Sequence, residues 1–249
     1  MQFKSKGAMK WLEFDLLANC SEVKHAVFFK TGGTSEGPFA SLNFEQAVGD
    51  HEDSVKQNKK KACEILQLQN LIGLKQCHGK TIQEIHGPSL QIQEGDALAT
   101  CEKEIGLLIK HADCQAAIFY DPVNQAIANV HAGWRGNVQN IYAETVNMMK
   151  SRYHSKPQDL IVCIGPSLGP EHAEFVNYKT ELPESFWQFQ WKPNYFDLWA
   201  ISFWQLTQCG VLSNHIEMAR INTYLDPDCF SYRRDKVTGR HGTIVALKS

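Results

Sequence analysis

Apolar runs separated by short polar segments dominate the middle of the chain. Residues 105–109, 116–120 and 126–130 are almost entirely apolar and have the length of buried β-strands. Between the last two runs, the segment 121–124 (DPVN) has the composition of a tight turn, because proline fixes φ and asparagine tolerates the left-handed region. We therefore predict a β-hairpin, which brings the polar residues that flank its two strands to the same end of a sheet.

Similar patterns predict the elements on either side. Apolar runs predict strands at residues 25–29, 71–74, 80–85, 160–164 and 243–247. Helical spacing of apolar residues predicts helices over 50–69 and 138–150, and a third that begins after Asp197 and ends at Gly210. Either Asp50 or Asp53 can cap the first of these helices.

Composition and charge narrow the classes of protein. The chain has 249 residues, of which 43% are hydrophobic and 21% charged, as in ordinary globular proteins. No linker-like tract divides it, so we expect one domain over residues 1–249. The formal net charge of −2 gives no electrostatic reason to expect nucleic acid or an anionic membrane as a partner. The basic run at residues 59–61 lies in a helical pattern, which favours a solvated face.

The cellular compartment is predicted from three features. No apolar run approaches the ~20 residues needed to cross a bilayer. The first residues carry lysines but no apolar core of signal-peptide length. The eight cysteines include no CxxC pair, and several lie in apolar runs, as reduced core cysteines do. We expect a cytoplasmic protein.

Three residues at predicted strand ends form a candidate metal site. His78, Cys114 and His131 would supply two imidazoles and one thiolate, and zinc in catalytic sites takes three such ligands with a fourth position open. Their spacing matches no zinc-finger rule, and a histidine or cysteine at a strand end is often only packed and hydrogen-bonded. His111 and Cys77 compete as ligands. The sequence alone does not decide whether either of them joins the metal site.

Charged residues near these ligands suggest further roles. Asp113 is a candidate for orienting a ligand or acting as a general base, or alternatively for bonding backbone amides in a turn. Arg135 could hold a phosphate or carboxylate bidentately, at a turn where a strand passes to a helix N-terminus. Arg233 and Arg234 are weaker candidates for the same task. For that pair, salt bridges with Asp228 and Asp235 are the favoured interpretation.

Short motifs give the chain a resemblance to the YfiH-like proteins, also called the laccase-domain or multicopper polyphenol oxidase family and, in some usage, peptidoglycan editing factor. The matching motifs run nearly end to end: GGTSEGP at 32–38, SLN at 41–43, VGD at 48–50, QCHG at 76–79, DA at 96–97, ADC at 112–114, HAGWRG at 131–136, GPSLGP at 165–170, SYRRD at 231–235 and TGR at 238–240. HAGWRG and SYRRD are the most specific of these.

The resemblance implies a fold, a metal site and an activity. The implied fold is α+β, with mixed sheets packed together and helices outside. The implied zinc ligands are His78, Cys114 and His131. The implied activity is phosphorolysis of purine nucleosides, methylthioadenosine included, together with adenosine deamination. Purine nucleosides and phosphate would be the small-molecule partners.

Some positions depart from the family pattern. Lys30 stands where arginine is usual before the double glycine, Cys77 replaces an aliphatic residue, His111 replaces a small or hydroxyl residue, and Ala116 replaces a frequent proline. None of these removes a predicted ligand.

The hypothesis is therefore a zinc enzyme in which Cys114, Asp113 and Arg135 carry the chemistry. Zinc would lower the pKa of a water for deamination, and phosphate beside Arg135 would attack the ribose C1′. The alternatives are an amino-acid-editing hydrolase acting on a peptidoglycan precursor, a copper-dependent phenol oxidase, and a non-enzymatic protein with a structural zinc. Copper oxidation is disfavoured because one cysteine and two histidines cannot supply several copper centres.

Overall fold

The computed structural model describes residues 1–88 and 93–249. The strands are Gln2–Lys6 (β1), Met9–Glu13 (β2), Val23–Phe28 (β3), Asn70–Gly73 (β4), Ile82–Glu84 (β5), Ala97–Thr100 (β6), Ile105–His111 (β7), Gln115–Asp121 (β8), Ala126–Ala132 (β9), Ile161–Ile164 (β10), Gln190–Lys192 (β11), Tyr195–Phe196 (β12), Ile216–Met218 (β13) and His241–Leu247 (β14). The helices are Asp15–Ala18 (α1), Glu52–Leu66 (α2), Trp134–Val138 (α3), Ile141–Tyr153 (α4), Tyr178–Glu181 (α5), Leu198–Gln208 (α6) and Tyr232–Asp235 (α7).

Two six-stranded mixed sheets form the centre of the molecule. The first has the strand order β1-β2-β3-β14-β7-β4, and the second has the order β13-β10-β8-β9-β6-β5. Neighbours are antiparallel except at β4–β7 in the first sheet and at β5–β6 and β10–β13 in the second. Strands β11 and β12 form a separate ribbon.

The sheets pack against each other and carry helices on their outer faces. Ile118 and Tyr120 of β8 lie in the core between the sheets, together with Leu107 of β7. The alternate residue Phe119 points outward and packs with Tyr142 of α4. Because β8 is buried on both faces, its sequence is apolar throughout rather than alternating. Helix α2 covers the outer face of the first sheet in the same way.

The predicted fold class, α+β with mixed sheets packed together and helices outside, is confirmed. The three central strands occur within two residues of their predicted bounds, as β7, β8 and β9. Strands β8 and β9 form the predicted antiparallel hairpin, with Ala116 opposite His131. The sequence did not indicate that β7 and β8 belong to different sheets. The segment 112–114 therefore crosses from one sheet to the other.

The hairpin turn differs from its prediction in one residue. Asp121 Oδ1 accepts hydrogen bonds from the backbone N–H groups of Val123 (2.9 Å) and Asn124 (3.1 Å), as expected for a turn-forming aspartate. The left-handed residue is Gln125, at φ +51°, and not Asn124. The side chain of Asn124 instead donates to Asp121 Oδ2.

The cap predicted for the first long helix was wrong. Helix α2 begins after His51, and no side chain caps it. Asp50 uses its carboxylate elsewhere, since it accepts from the His51 N–H and from Asn43 Nδ2, both at 2.8 Å. In contrast, Asp197 caps α6 as predicted, by accepting from the Ala200 N–H at 2.9 Å.

The helix predicted over residues 138–150 is two helices. The break lies at Asn140, which is left-handed at φ +54° and whose side chain accepts from the Ala143 N–H to cap α4. Helix α3, before the break, has only five residues. The hairpin of β1 and β2 was not predicted, and all five residues of β1 are exposed. Within the described ranges, no helix is both long and apolar enough to span a membrane.

Candidate metal centre

Three separate connections carry the candidate ligands to one end of the two sheets. His78 follows β4, Cys114 lies between β7 and β8, and His131 is the penultimate residue of β9. Their ligand atoms all lie within 4.8 Å of one another. Cys114 Sγ is 3.9 Å from His78 Nε2, and the two imidazole rings are 4.9 Å apart at 79°. One ion at roughly 2.0–2.3 Å from each donor would bridge such a group.

A buried carboxylate that the sequence analysis did not assign holds two of these ligands. Asp96 lies opposite His131, because β6 and β9 pair in the register Ala97 to Val130. Asp96 Oδ1 is 2.8 Å from His131 Nδ1, which directs Nε2 towards the other ligands. The same carboxylate accepts from the backbone N–H groups of His78 (2.9 Å) and Gly79 (2.7 Å). Asp96 therefore orients one ring and fixes the loop that carries the other.

Two residues of the site adopt backbone conformations that side chains rarely take. His78 lies at φ +61° and Asp113 at φ +80°. Such left-handed residues cost free energy unless their surroundings hold them, and they concentrate at functional sites. The hydrogen bonds that the His78 and Gly79 N–H groups donate to Asp96 hold His78 in place. Asp113 is held through its own carboxylate.

Gly133 is required by close approach rather than by its φ of −76°. A Cβ at this position would lie 2.9 Å from Cys114 Sγ and 3.1 Å from His78 Cδ2. The HAGWRG glycine thus leaves room for two ligands to meet. The anion site predicted at this turn relied on a helix N-terminus, but α3 has five residues and a correspondingly small dipole.

Electrostatics favours the thiolate of Cys114, which is the form that binds a metal, and the protonated ring of His131, which must lose a proton to bind one. Burial alone would raise the pKa of the Cys114 thiol, but the neighbouring His131 and His78 lower it to about 6. Burial would also lower the pKa of His131, but Cys114 and Asp96 raise it to about 9. Burial opposes ionisation of Asp96 as well, yet hydrogen bonds from His131, Cys77 and Gly79 hold its pKa well below the ordinary value. Metal binding at this group would therefore displace a proton from His131.

A cavity of about 380 Å³ opens onto the group. His78 and Cys114 line it, and its walls combine aromatic, apolar and cationic side chains. The lining also includes Trp134, Phe175, Tyr232, Arg135, Arg233 and Lys236. The volume lies within the range of small-molecule sites.

Asp113 and the ligand-orienting carboxylate are different residues. Asp113 accepts from the Thr223 hydroxyl at 2.7 Å and from the Arg233 N–H at 2.6 Å. The Arg233 contact is to a backbone amide, as in the turn alternative, but this amide lies 120 residues away and not in a local turn. The carboxylate bonded to a candidate ligand is Asp96.

Of the two aspartates expected to pair with Arg233 and Arg234, one does so. Arg135 lines the cavity, and its guanidinium lies 4.4 Å from the Trp134 ring centroid. Arg234 forms the expected ion pair with Asp235 at 2.9 Å. The proposed pairing with Asp228 was wrong, because that carboxylate binds Lys10 at 2.8 Å.

The two competing ligands lie outside the group. His111 is 1% exposed, and its Nε2 is 2.9 Å from the Thr243 hydroxyl. Cys77 Sγ lies 3.1 Å from Asp96 Oδ2. Among residues 1–88 and 93–249, only His78, Cys114 and His131 converge as three potential ligands.

Gln76 of the QCHG motif connects the His78 loop to β7, the strand that leads to Cys114. Its side chain bonds both backbone groups of Lys110, with Oε1 accepting at 2.9 Å and Nε2 donating at 2.7 Å. The amide thus extends the pairing of β4 and β7 by one step. Local sequence pattern does not predict this contact, since the two residues are 34 positions apart.

Several known proteins are similar to this chain in sequence and in fold. The model of a family described as multi-copper polyphenol oxidoreductase laccase matches residues 24–248. A purine nucleoside phosphorylase of Bacteroides thetaiotaomicron is 33% identical over 246 residues, covering 90% of this chain and 91% of that protein. The crystal structure of the hypothetical protein YfiH of Bacillus licheniformis is similar, with a TM-score of 0.89, 28% identity and 99% of each chain covered. YlmD of Geobacillus stearothermophilus gives a TM-score of 0.88 at 27% identity, again over 99% of each chain.

Proposed function

The chain belongs to the YfiH-like, laccase-domain family, and from this membership we propose that it is a zinc-dependent purine nucleoside phosphorylase. Adenosine deamination and methylthioadenosine phosphorolysis belong to the same proposal, as does a single catalytic domain over residues 1–249 in the cytoplasm. The observation that carries the proposal is the convergence of His78, Cys114 and His131 beside a cavity of about 380 Å³.

The donor set fits zinc. His78, Cys114 and His131 would hold the ion, and two imidazoles with one thiolate suit its borderline-soft character. The space that Gly133 leaves between Cys114 and His78 supports a shared ligand there. Copper remains the less favoured metal, because the described residues contain one such group and not several. When bound, zinc would supply Lewis-acid stabilisation of developing negative charge.

The lining of the cavity suits a purine nucleoside. The aromatic rings of Trp134 and Phe175 are 5.8 Å apart in an edge-to-face arrangement, and they give the cavity an apolar wall for a base. Arg135 can donate two parallel hydrogen bonds to a phosphate, which would place the nucleophile for attack on the ribose C1′. The guanidinium would also stabilise charge in the transition state.

Asp113 would act mainly by positioning in this scheme. Both of its carboxylate oxygens already accept hydrogen bonds, from Thr223 and from Arg233. These two contacts hold the carboxylate at the turn before Cys114. Cys114 would act as a metal ligand, since the pKa of its thiol is lowered to about 6 and the thiolate is the binding form.

Product analysis with purified protein tests the proposal. Adenosine is incubated with and without phosphate, and with and without a zinc chelator. We expect adenine only when phosphate is present, inosine without it, and loss of both products on chelation with recovery on adding zinc. Intact adenosine in the presence of one zinc per chain would reject the nucleoside proposal. The peptidoglycan-precursor hydrolase would then be the next substrate class to assay.

A further inference from the structure

The two neighbouring arginines of the SYRRD segment do different work. The Arg234 guanidinium is hydrogen-bonded within the protein. It donates to the Asp235 carboxylate and to four backbone carbonyl oxygens, those of Thr223, Tyr224, Asp226 and Cys229. These contacts fold the loop at residues 223–229 against α7. Arg234 is therefore a structural clamp.

Arg233 keeps its guanidinium available. Among residues 1–88 and 93–249, its side chain makes one hydrogen bond, from Nη2 to the Glu174 carbonyl, and this bond is long at 3.5 Å. In the described part of the chain, no salt bridge within 4.0 Å involves Arg233. The side chain lines the same cavity as His78 and Cys114.

The backbone of Arg233 is fixed relative to the candidate metal centre. Its N–H donates to Asp113 Oδ2 at 2.6 Å, and Asp113 directly precedes Cys114. The Thr223 hydroxyl holds the other oxygen of Asp113 at 2.7 Å. The base of the Arg233 side chain is thus anchored to the turn that carries a ligand, which reduces the cost of ordering it around a bound group.

The cavity is cationic on balance. Arg233 shares its lining with Arg135 and Lys236, whereas Asp113 is the lining carboxylate. The Lys236 ammonium lies 5.5 Å from the Tyr232 ring centroid. An anion in the cavity would meet several cations and no uncommitted carboxylate among these lining residues.

We propose that Arg233 is a second oxyanion-binding residue of the cavity, and that the group it binds is phosphate. The inference rests on the proposed phosphorolysis, for which it names the site of the inorganic phosphate and of the phosphate group of the sugar product. A guanidinium suits this role because its planar fork matches two phosphate oxygens, whereas an ammonium offers a point charge.

Binding of inorganic phosphate to the zinc-loaded protein, measured by calorimetry without nucleoside, tests the assignment. Arg233→Gln should raise the phosphate Kd about tenfold or more, because one charge-assisted contact is lost. Arg233→Lys should fall between that variant and the parent. The matched control is Arg152→Gln, which removes an exposed arginine paired with Glu84 and absent from the cavity lining. Its phosphate Kd should not change.

The same titration separates this assignment from the proposed function. If Arg233→Gln weakens phosphate binding but no phosphorolysis is seen in the parent, the assignment stands and the phosphorylase proposal fails. If phosphorolysis occurs and its phosphate KM is unchanged in Arg233→Gln, the assignment is overturned. Absence of phosphate binding to the parent protein also overturns it. Adenosine affinity should stay within about twofold in either variant, since the contact is to phosphate.

Discussion

Two pairs of histidines lie at similar separations in this protein and have different properties. His78 and His131 have ring centroids 4.9 Å apart, and His111 and His241 have centroids 5.4 Å apart. His111 and His241 are direct cross-strand neighbours in the first sheet. Both pairs could have been named as metal ligands from distance alone.

Hydrogen bonding separates the pairs. His241 Nε2 accepts from the Phe230 N–H at 2.8 Å, and Nδ1 lies 3.0 Å from the Phe28 carbonyl. His111 Nε2 pairs with the Thr243 hydroxyl. His78 and His131 instead face a thiol at the edge of a cavity. Imidazole proximity is therefore not a sufficient sign of a metal site; the ring nitrogens must also be directed at a third donor.

The pKa shifts of His241 and His131, one histidine from each pair, also run in opposite directions. Burial lowers the pKa of His241 to about 4, so the ring is neutral in the folded protein. Cys114 and Asp96 raise the pKa of His131 to about 9 despite its burial. His241 is a neutral, packed part of the core, whereas His131 is ionised beside Cys114 and Asp96.

Removing a ligand should give the largest difference between the pairs. Cys114→Ser or His131→Ala should lower nucleoside turnover on the order of a thousandfold, because Lewis-acid stabilisation worth several kcal/mol is lost. Metal content should fall from one per chain to near zero. Turnover assays and elemental analysis of the purified variants check this.

The matched control changes the other pair. His111→Asn should retain the metal, although it costs stability. Equal metal loss in His111→Asn and His131→Ala would contradict the distinction drawn here.

Acid should destabilise the fold through the buried histidines. In the unfolded chain a histidine has a pKa near 6.5. In the folded protein, burial lowers the pKa of His25 and of His241 to about 4. The unfolded state therefore binds more protons between these values, and stability falls as the pH drops from about 6.5 to about 4. The loss is at most about 3 kcal/mol for each ring.

Denaturant titrations over this pH window measure the effect. His25→Gln keeps an acceptor for the Phe14 N–H but cannot titrate. Its stability should depend less on pH than that of the parent. An unchanged pH dependence would count against the assigned neutral state of His25.

Replacing the carboxylate that orients His131 should have a smaller effect. Asp96→Asn should weaken zinc binding about ten- to a hundredfold, as loss of such hydrogen-bonding partners does. Competition with a chromogenic chelator gives the affinity. The control is Asp121→Asn. Asp121 is also a fully buried aspartate, but it lies at the turn of the β8–β9 hairpin, at the opposite end from His131, so zinc affinity should not change.

The smallest expected effect concerns the Gln76 bridge. Gln76→Leu removes both contacts with Lys110 and should cost about 1–2 kcal/mol of stability. Zinc affinity should fall less than in Asp96→Asn, because His78 keeps its bond to Asp96. Gln83→Leu is the control, since within the described residues this half-buried side chain makes one hydrogen bond, to the Glu94 carbonyl. Equal losses of zinc affinity in the two glutamine variants would remove Gln76 from the site.

Local sequence pattern predicted the strands β4, β7, β8 and β9 that lead to the site and, with their ends, the three candidate ligands. Cys114 and His131 could be brought together because one short hairpin connects their strands. His78 lies on a different connection, after β4, and was predicted as a ligand from its place after a strand and from the affinity of imidazole for zinc. The helix break at Asn140 was missed because apolar spacing continues across it.

Asp96 and the roles of Arg233 and Arg234 could not be predicted from local pattern. Asp96 meets His131 only through the register of β6 with β9, which depends on the whole sheet. The two arginines are chemically identical neighbours, and only the fold of the loop at residues 223–229 decides which one faces the cavity.

X-ray absorption at the zinc edge, on the zinc-loaded parent protein and on Cys114→Ser, tests the central claim most directly. The account predicts one sulfur at about 2.3 Å and two imidazole nitrogens at about 2.0–2.1 Å in the parent, with the sulfur shell lost in the variant. A parent spectrum without sulfur, or a sulfur shell that survives in Cys114→Ser, would contradict the assignment of His78, Cys114 and His131 as the metal centre.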